Sequence, residues 1–219
     1  MPAAIFDWDG VIIDSHDQHA GSWELLAAEQ DSELPADFFK KSFGMRNQSI
    51  FPMFFSAWVD PHDTARIGQL ADRKEELYRE LVRRDGIEPL PGVVALLDSL
   101  ATAGIPCSVG SSTPRANIDA IMEIIGLGDR FQAITAAEDV TEGKPDPQVF
   151  LKAAAKVGAP PSESVVFEDA HVGIAAGLAA GMKVIAVATT HPIDSLGEAH
   201  LAVESLEGVS AATLRELLM

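Results

Sequence analysis

The sequence predicts an α/β protein with a doubly wound parallel sheet and an inserted α-helical cap domain. From about residue 86 onward, short apolar runs alternate with helical stretches, which is the pattern of strand–helix units in a parallel sheet. An apolar run near the N-terminus matches those strands. Residues 15–85 contain only helical patterns. We therefore expect residues 1–14 and 86–219 to form the core, and residues 15–85 to form the cap.

The first strand and the insert are predicted from their apolar patterns. Ala3, Ala4, Ile5 and Phe6 have no polar face, as in a central strand that is covered on both sides. The insert contains several helical stretches, the last of which begins near Asp63 and repeats leucines at helical spacing. Its two links to the core, at 14–15 and in the Gly- and Pro-rich stretch 85–92, predict a hinge.

The rest of the core is predicted as alternating strands and helices. Strands are expected in IPCSVGSS, FQAIT, SVVFED and KVIAVAT, and helices in PRANIDAIMEIIG, DPQVFLKAAAKVG and VGIAAGLAAG. Gly126 is the expected C-cap of the first helix, and Asp146 the expected N-cap of the second, with Pro147 at its first position. Gly173, Gly177 and Gly181 are interpreted as sites of close helix–sheet packing.

The charge balance restricts the partners of the protein. Lys and Arg number 16 against 33 Asp and Glu, which gives a formal net charge of −17. An acidic surface repels nucleic acid and anionic membranes, so neither is an expected partner. Any site for an anion must be built locally, from a few cations, helix N-termini or a metal ion.

The composition predicts a cytoplasmic enzyme or binding protein, and a monomer is the separate expectation for its oligomeric state. No apolar run reaches the roughly 18 residues that a membrane span needs. Acidic residues begin at position 7, unlike the start of a signal peptide. Cys107 is the single cysteine, which excludes an internal disulfide and a thiolate metal cluster.

Polar residues follow the predicted strands at the edge where ligands bind in an open parallel sheet. Asp7 and Asp9 follow the first strand, Ser111 the second, and Glu168 and Asp169 close the fourth, while Lys144 lies in a neighbouring loop. Taken singly, each has an ordinary interpretation: a turn at Asp9-Gly10, a surface lysine, a solvated strand end. Their convergence on one edge favours a functional site, and Asp14 is interpreted as structural.

These residue types suit phosphoryl transfer. Asp7, Asp169 and Glu168 form a hard oxygen cluster of the kind that binds Mg²⁺. A carboxylate can attack phosphorus and form an aspartyl-phosphate, and Lys144 would balance charge between nucleophile and phosphate. Ser111 and the amides of Ser112 and Thr113 lie at a helix start, which favours an anion.

The four motifs together resemble those of the haloacid dehalogenase superfamily, in its β-phosphoglucomutase-like branch with a Rossmann-like core and helical cap. They are DWDGV, Ser111 in SVGSST, Lys144 in GKPDP, and EDA at 168–170. The resemblance implies that Asp7 is the nucleophile and Asp9 the general acid/base. It also implies Mg²⁺ held by the Asp7 side chain, the Asp9 carbonyl and Asp169, with Glu168 in support.

Four candidate substrate-binding residues complete the site. His19 shares a helix face with Ser15 and Trp23; it is either a core partner of Trp23 or, as in the similar family branch, a residue that orders Asp9 or a substrate hydroxyl. Arg46 and Lys74 resemble cap residues that contact substrate, although Arg46 is placed differently from the mutase pattern. Arg115 is a further candidate from the core.

The favoured function is a Mg²⁺-dependent phosphatase for a small phosphorylated metabolite, a sugar or polyol phosphate. A phosphomutase would use nearly the same residues, and the two differ in whether water or a sugar hydroxyl accepts the phosphoryl group. A 2-haloacid dehalogenase needs neither Asp9 nor the metal cluster. A non-catalytic protein on this scaffold would be expected to have lost Asp7, Asp9 or Asp169, and all three are present.

Overall fold

Two compact units make up the structure, a computed structural model that describes residues 1–42 and 47–219. The α/β unit comprises Met1–Asp14 and Ile87–Met219, and the helical unit comprises Ser15–Gly86. Among the described residues, every helix is too short or too polar to cross a bilayer.

The described α-helices are numbered along the chain. Those of the helical unit are α1 (His16–Glu29), α2 (Phe38–Ser42), α3 (Asn47–Phe54) and α4 (Thr64–Asp85). Those of the α/β unit are α5 (Val93–Thr102), α6 (Arg115–Ile125), α7 (Gln148–Lys156), α8 (His171–Ala179) and α9 (Ala211–Leu218).

A six-stranded parallel sheet forms the centre of the α/β unit. Its strands are β1 (Ala3–Phe6), β2 (Cys107–Gly110), β3 (Ala133–Thr135), β4 (Ser164–Glu168), β5 (Lys183–Val187) and β6 (Leu201–Val203). They lie in the order β3-β2-β1-β4-β5-β6, and every neighbouring pair is parallel. The chain therefore builds outward from β1 in both directions, which confirms the predicted doubly wound sheet.

The central strand is buried on both faces, as its apolar run predicts. Ala3 and Ile5 join the core cluster that α7 and α8 contribute. Successive residues of a strand point to opposite faces, so Phe6 lies on the other side, where its ring stacks on that of Phe167 at 4.5 Å. All four residues of β1 are fully buried, so a polar residue directly after it requires its own partners.

The predicted C-terminal end of α6 is correct, whereas the predicted N-terminal end of α7 is one residue early. Gly126 ends α6 in the left-handed conformation, with φ of 68°. At α7, however, Pro147 occupies the N-cap position, and not the first turn as predicted. The side chain of Asp146 nevertheless accepts a hydrogen bond from the Gln148 amide at 2.9 Å. The carboxylate thus satisfies a free helix amide from one position earlier.

The three glycines around α8 have different roles. A Cβ atom on Gly177 would lie 2.8 Å from Val184 Cγ2, so this glycine allows the close helix–sheet packing that we predicted. A Cβ atom on Gly173 would overlap the Glu168 carboxylate, so Gly173 makes room for a polar group of the site. For Gly181 the packing interpretation is wrong, because the space beside it is open and its φ is +72°. Its role is to allow a left-handed turn after α8.

The helical unit has a core of its own. Leu70 and Leu77, two of the leucines that repeat at helical spacing in α4, are buried in it. Trp23 of α1 is 3% exposed and stacks on Phe55, with 5.5 Å between ring centroids. Trp23 is therefore a core residue.

Candidate active site

Three neighbouring strands end at the candidate site. Asp7 directly follows β1, Ser111 follows β2, and Glu168 is the last residue of β4, with Asp169 after it. Main-chain hydrogen bonds continue past the strand ends, from Asp7 N to Phe167 O and from Ser111 N to Thr135 O, both at 2.9 Å. These bonds fix the backbone that carries the polar side chains.

Lys144 joins two of the strand ends through a buried ion contact. Its Nζ lies 2.9 Å from Asp7 Oδ1 and 2.6 Å from Glu168 Oε1, and its side chain is 7% exposed. Burial alone would lower the pKa of Lys144, but Asp7 and Glu168 together raise it above its ordinary value. Lys144 is thus a permanently charged ammonium beside the Asp7 carboxylate.

Glu168 holds this arrangement together. Its Oε2 accepts hydrogen bonds from the backbone amides of Asp169 at 2.7 Å and Ala170 at 2.6 Å. Its Oε1 is the atom that contacts Lys144. Burial raises the pKa of Glu168, although Lys144 opposes that effect. Both carboxylate oxygens are engaged, so this residue positions Lys144 and the loop after β4.

The cluster carries more negative charge than its own cation balances. Ligand atoms of Asp7, Glu168 and Asp169, all buried, lie within 4.8 Å of one another. When all three carboxylates are ionised, the Lys144 ammonium leaves two negative charges unbalanced. Burial, followed by repulsion from Glu168 and Asp7, raises the pKa of Asp169 to about 8. A cation bound among these carboxylates would offset their repulsion and favour the ionised form of Asp169.

The donor set fits a divalent ion. Asp7 Oδ1 is buried and accepts no hydrogen bond of normal geometry, although Lys144 Nζ lies close to it. Hard oxygen ligands from one or two carboxylates are what Mg²⁺ prefers. Asp7 and Asp169 are therefore the residues that could hold it.

A tight turn after β1 places Asp9. Gly10 N donates to Ile13 O at 2.7 Å, and the φ of Gly10 is +79°. A Cβ atom on Gly10 would overlap the Asp169 carboxylate, so glycine is required both for the turn and for the close approach. The Asp9 side chain accepts a hydrogen bond from the Thr113 hydroxyl, which fixes its Oδ2.

The loop after β2 is organised within itself. Ser111 is 2% exposed, and its Oγ accepts a hydrogen bond from Thr113 N at 3.1 Å, while Ser112 is exposed. Thr113 thus contacts both Ser111 and Asp9. Arg115 Nε donates to Asp119 at 2.8 Å along the surface of α6, and its amide donates to Glu138.

In the helical unit, the structure brings His19 and Lys74 together. Lys74 Nζ lies 2.7 Å from His19 Nδ1 and 3.0 Å from Glu75 Oε1, and the His19 ring stacks on Tyr78 at 4.2 Å. An ammonium has only donors, so Nδ1 must offer its lone pair and the proton must lie on Nε2. Burial and then Lys74 lower the pKa of His19 to about 3. Arg46 lies outside the described residues.

We expect the His19 imidazole to stay neutral between about pH 8 and about pH 5. In an unfolded chain its pKa is 6.5, so below that pH protons bind preferentially to the unfolded state. The free energy of unfolding therefore decreases as the pH is lowered below about 6.5. Long-range ¹H–¹⁵N NMR, with His19→Gln for assignment, should show an Nε2–H tautomer without titration in this range. Protonation near pH 6.5 would contradict the buried Lys74 contact.

Sequence reasoning missed Thr190. Thr190 lies in the loop after β5, whose carboxyl end is at the same edge of the sheet. Its hydroxyl donates to Asp169 Oδ2. The signal was available, because TTH directly follows the apolar strand KVIAVA. The rule that we applied to the other strand ends also applies to β5.

Comparison with known proteins decides the family. The family model for haloacid dehalogenase-like hydrolases matches residues 1–181. The chain belongs to this family. The prediction from the four motifs is confirmed, and the haloacid dehalogenase-like family includes phosphatases and phosphomutases among the relatives of this chain.

Three relatives illustrate the range of the family. Hexitol phosphatase A of Escherichia coli is 32% identical, over 94% of this chain and 92% of its own length. The chloroplastic 5-amino-6-(5-phospho-D-ribitylamino)uracil phosphatase of Arabidopsis thaliana is 35% identical over 98% of this chain, which spans 57% of that protein. The crystal structure of β-phosphoglucomutase from Clostridium difficile matches with a TM-score of 0.85 and 25% identity, over 100% of this chain and 97% of that one.

Proposed function

We propose that the protein is a Mg²⁺-dependent phosphatase that acts on a sugar or polyol phosphate through an aspartyl-phosphate at Asp7. The observation that carries the proposal is the buried pairing of Asp7 with Lys144 at the edge of an acidic cluster. Two phosphatase relatives have names that denote polyols or their phosphates, a hexitol and a phosphoribityl compound, which supports the substrate class.

In the first half-reaction, a carboxylate oxygen of Asp7 attacks phosphorus and the bond from phosphorus to the ester oxygen breaks. Asp9 donates a proton to that oxygen, so the product leaves as an alcohol. Lys144 balances the negative charge between Asp7 and the phosphoryl group. The contact between Thr113 and Asp9 supports this role, because it fixes one carboxylate oxygen.

In the second half-reaction, Asp9 accepts a proton from water as the water oxygen attacks the aspartyl-phosphate. The bond between phosphorus and the Asp7 oxygen breaks, which releases inorganic phosphate and restores the carboxylate. Ser111 and the amide of Ser112 are the groups that would hold the phosphoryl oxygens; both lie in the loop between β2 and α6, a few residues before the helix start that the sequence suggested. Asp9 thus ends the cycle protonated and ready to act as an acid again.

Mg²⁺ would be held by the side chains of Asp7 and Asp169 and the carbonyl of Asp9, with Glu168 in support. When bound, it supplies positive charge that polarises the phosphate and offsets carboxylate repulsion. The excess negative charge of the described cluster supports this assignment.

We further propose that the helical unit is the cap of the enzyme and supplies substrate selection. His19, Lys74 and Arg46 are its candidate contacts, together with Thr113 and Arg115 of the α/β unit. The close pairing of His19 Nδ1 with Lys74 Nζ supports a shared role for these two residues.

A phosphomutase is the second candidate, favoured by the extent of the structural match to β-phosphoglucomutase. Its chemistry would use Asp7 and Asp9 in the same way. The difference is the acceptor in the second half-reaction, a sugar hydroxyl in place of water.

Phosphate release with Mg²⁺ across a panel of sugar and polyol phosphates tests the proposal. A parallel assay follows glucose 1-phosphate to glucose 6-phosphate conversion, primed with glucose 1,6-bisphosphate. We expect rapid release from one or a few compounds in the panel. Conversion with little release would instead establish the mutase. The absence of both activities would overturn the assigned substrate class.

A further inference from the structure

The β5 loop, residues 188–191, contacts the candidate metal ligand from a strand that no motif includes. Strand β5 lies next to β4, with Glu168 paired to Ala186. The loop after β5 therefore leaves the sheet beside Asp169. Within it, the Thr190 hydroxyl donates a hydrogen bond to Asp169 Oδ2.

A second contact holds the same loop against the start of α8. The His191 ring lies 4.6 Å from the His171 ring, between centroids, and His171 is two residues after Asp169. The loop is thus attached at two successive positions: Thr190 to Asp169 in the β4–α8 connection, and His191 to His171 at the start of α8. Thr190 is exposed, whereas Asp169 is 4% exposed, so an accessible side chain orients a buried carboxylate.

The Asp169 carboxylate is also confined on another side. Gly10 approaches it so closely that a Cβ atom there would overlap Cγ and Oδ2. Gly10 limits where the carboxylate can lie, but it has no side chain that could donate a hydrogen bond. Within the part of the chain that the structure describes, the side-chain hydrogen bond to Asp169 comes from the Thr190 hydroxyl.

We propose that Thr190 is a positioning residue for the metal site, which holds Asp169 in the orientation that binds the divalent ion. This inference rests on the proposed function. A hydrogen bond to one oxygen of a ligating carboxylate fixes its rotamer and leaves the other oxygen for the ion. Removing such an outer-shell partner typically lowers metal affinity by about 10- to 100-fold.

Metal binding to the substrate-free protein tests the proposal directly. Titration with Mn²⁺, followed by the electron paramagnetic resonance signal of the free ion, measures affinity without turnover. For Thr190→Val, which keeps the shape and loses the hydroxyl, we expect about tenfold weaker binding. Thr190→Ser should restore binding to within about threefold of the wild type, because the donor is regained. Thr189→Val, at the exposed neighbouring position, is the matched control and should bind as the wild type does.

The kinetic signature separates positioning from a general structural effect. In Thr190→Val, raising the Mg²⁺ concentration should recover most of kcat, with little change in KM for the substrate. Equal Mn²⁺ affinity of Thr190→Val and the wild type would overturn the role of Thr190 and leave the phosphatase proposal intact. Failure of the wild type itself to bind Mn²⁺ would overturn both.

Discussion

Replacing Asp7 with asparagine is expected to lower the rate of phosphate release by about 10⁴-fold or more while the fold is retained. The amide has nearly the shape of the carboxylate but lacks the charge and nucleophilicity that attack on phosphorus requires. Asp7 is buried and contacts Lys144 at 2.9 Å, so the substitution removes one carboxylate from a cluster of three. Relief of that repulsion should keep the loss of stability small.

Steady-state phosphate release and thermal unfolding, measured on the same preparation, check this expectation. Asp194→Asn is the matched control, since Asp194 is an exposed aspartate of the same unit and should leave both quantities unchanged. Acid-quenched protein from the wild type, incubated with substrate, should carry an acid-stable, hydroxylamine-sensitive phosphoryl group that the Asp7→Asn variant lacks. Near-normal turnover in that variant would refute the nucleophilic role of Asp7.

Lys144→Met is expected to lower the free energy of unfolding by about 3 to 5 kcal/mol. Methionine replaces the buried aliphatic chain but leaves Asp7 and Glu168 without the ammonium that lies 2.9 and 2.6 Å from them. Removing one partner of a buried ion cluster leaves uncompensated charge, which costs more than losing an exposed pair. The variant should also lose phosphatase activity.

The loss should depend on pH in a defined direction. Burial raises the pKa of Glu168 above its unfolded value, and without Lys144 that increase should be larger. A carboxyl whose pKa is raised in the folded state favours folding when it is protonated and loses that contribution as pH rises above its unfolded pKa. Lys144→Met should therefore lose more stability at pH 8 than at pH 5, as urea unfolding can measure.

Lys152→Met is the matched control for Lys144. Lys152 is exposed, and its Nζ contacts only a main-chain oxygen, that of Asp139, in the described structure. Its replacement should change the free energy of unfolding by no more than about 0.5 kcal/mol. Equal effects of the two substitutions would contradict the buried ion cluster as a source of stability.

The polar residues at the strand ends could be predicted from local patterns in the sequence. The apolar run before Asp7 predicts a buried strand, and the alternation of strands and helices predicts that its carboxyl end lies beside those of the other strands. That logic predicts Asp7, Ser111 and Asp169 at one edge of the sheet from the sequence alone. It did not extend to β5 in our interpretation, so Thr190 was missed.

Contacts between distant residues were beyond sequence reasoning. His19 and Lys74 are 55 positions apart, and their direct pairing depends on how α1 packs against α4. The Thr113 hydroxyl donates to Asp9, whereas the sequence suggested only an amide at a helix start. The roles of Gly181 and Gly177 could not be distinguished from the sequence either, because only the structure shows that Gly181 has open space beside it and that Gly177 is closely packed.

The sequence by itself determined the fold class and the residue types for phosphoryl transfer, because apolar periodicity and strand-end chemistry are local properties. The family was predicted from the resemblance of its four motifs. Only the tertiary structure decided which oxygen of each carboxylate meets which donor. Lys144 between Asp7 and Glu168, and Thr190 on Asp169, depend on side-chain directions and on the separation of strand ends. These quantities are set by the packing of the whole sheet, since a hydrogen bond requires donor and acceptor within about 3 Å.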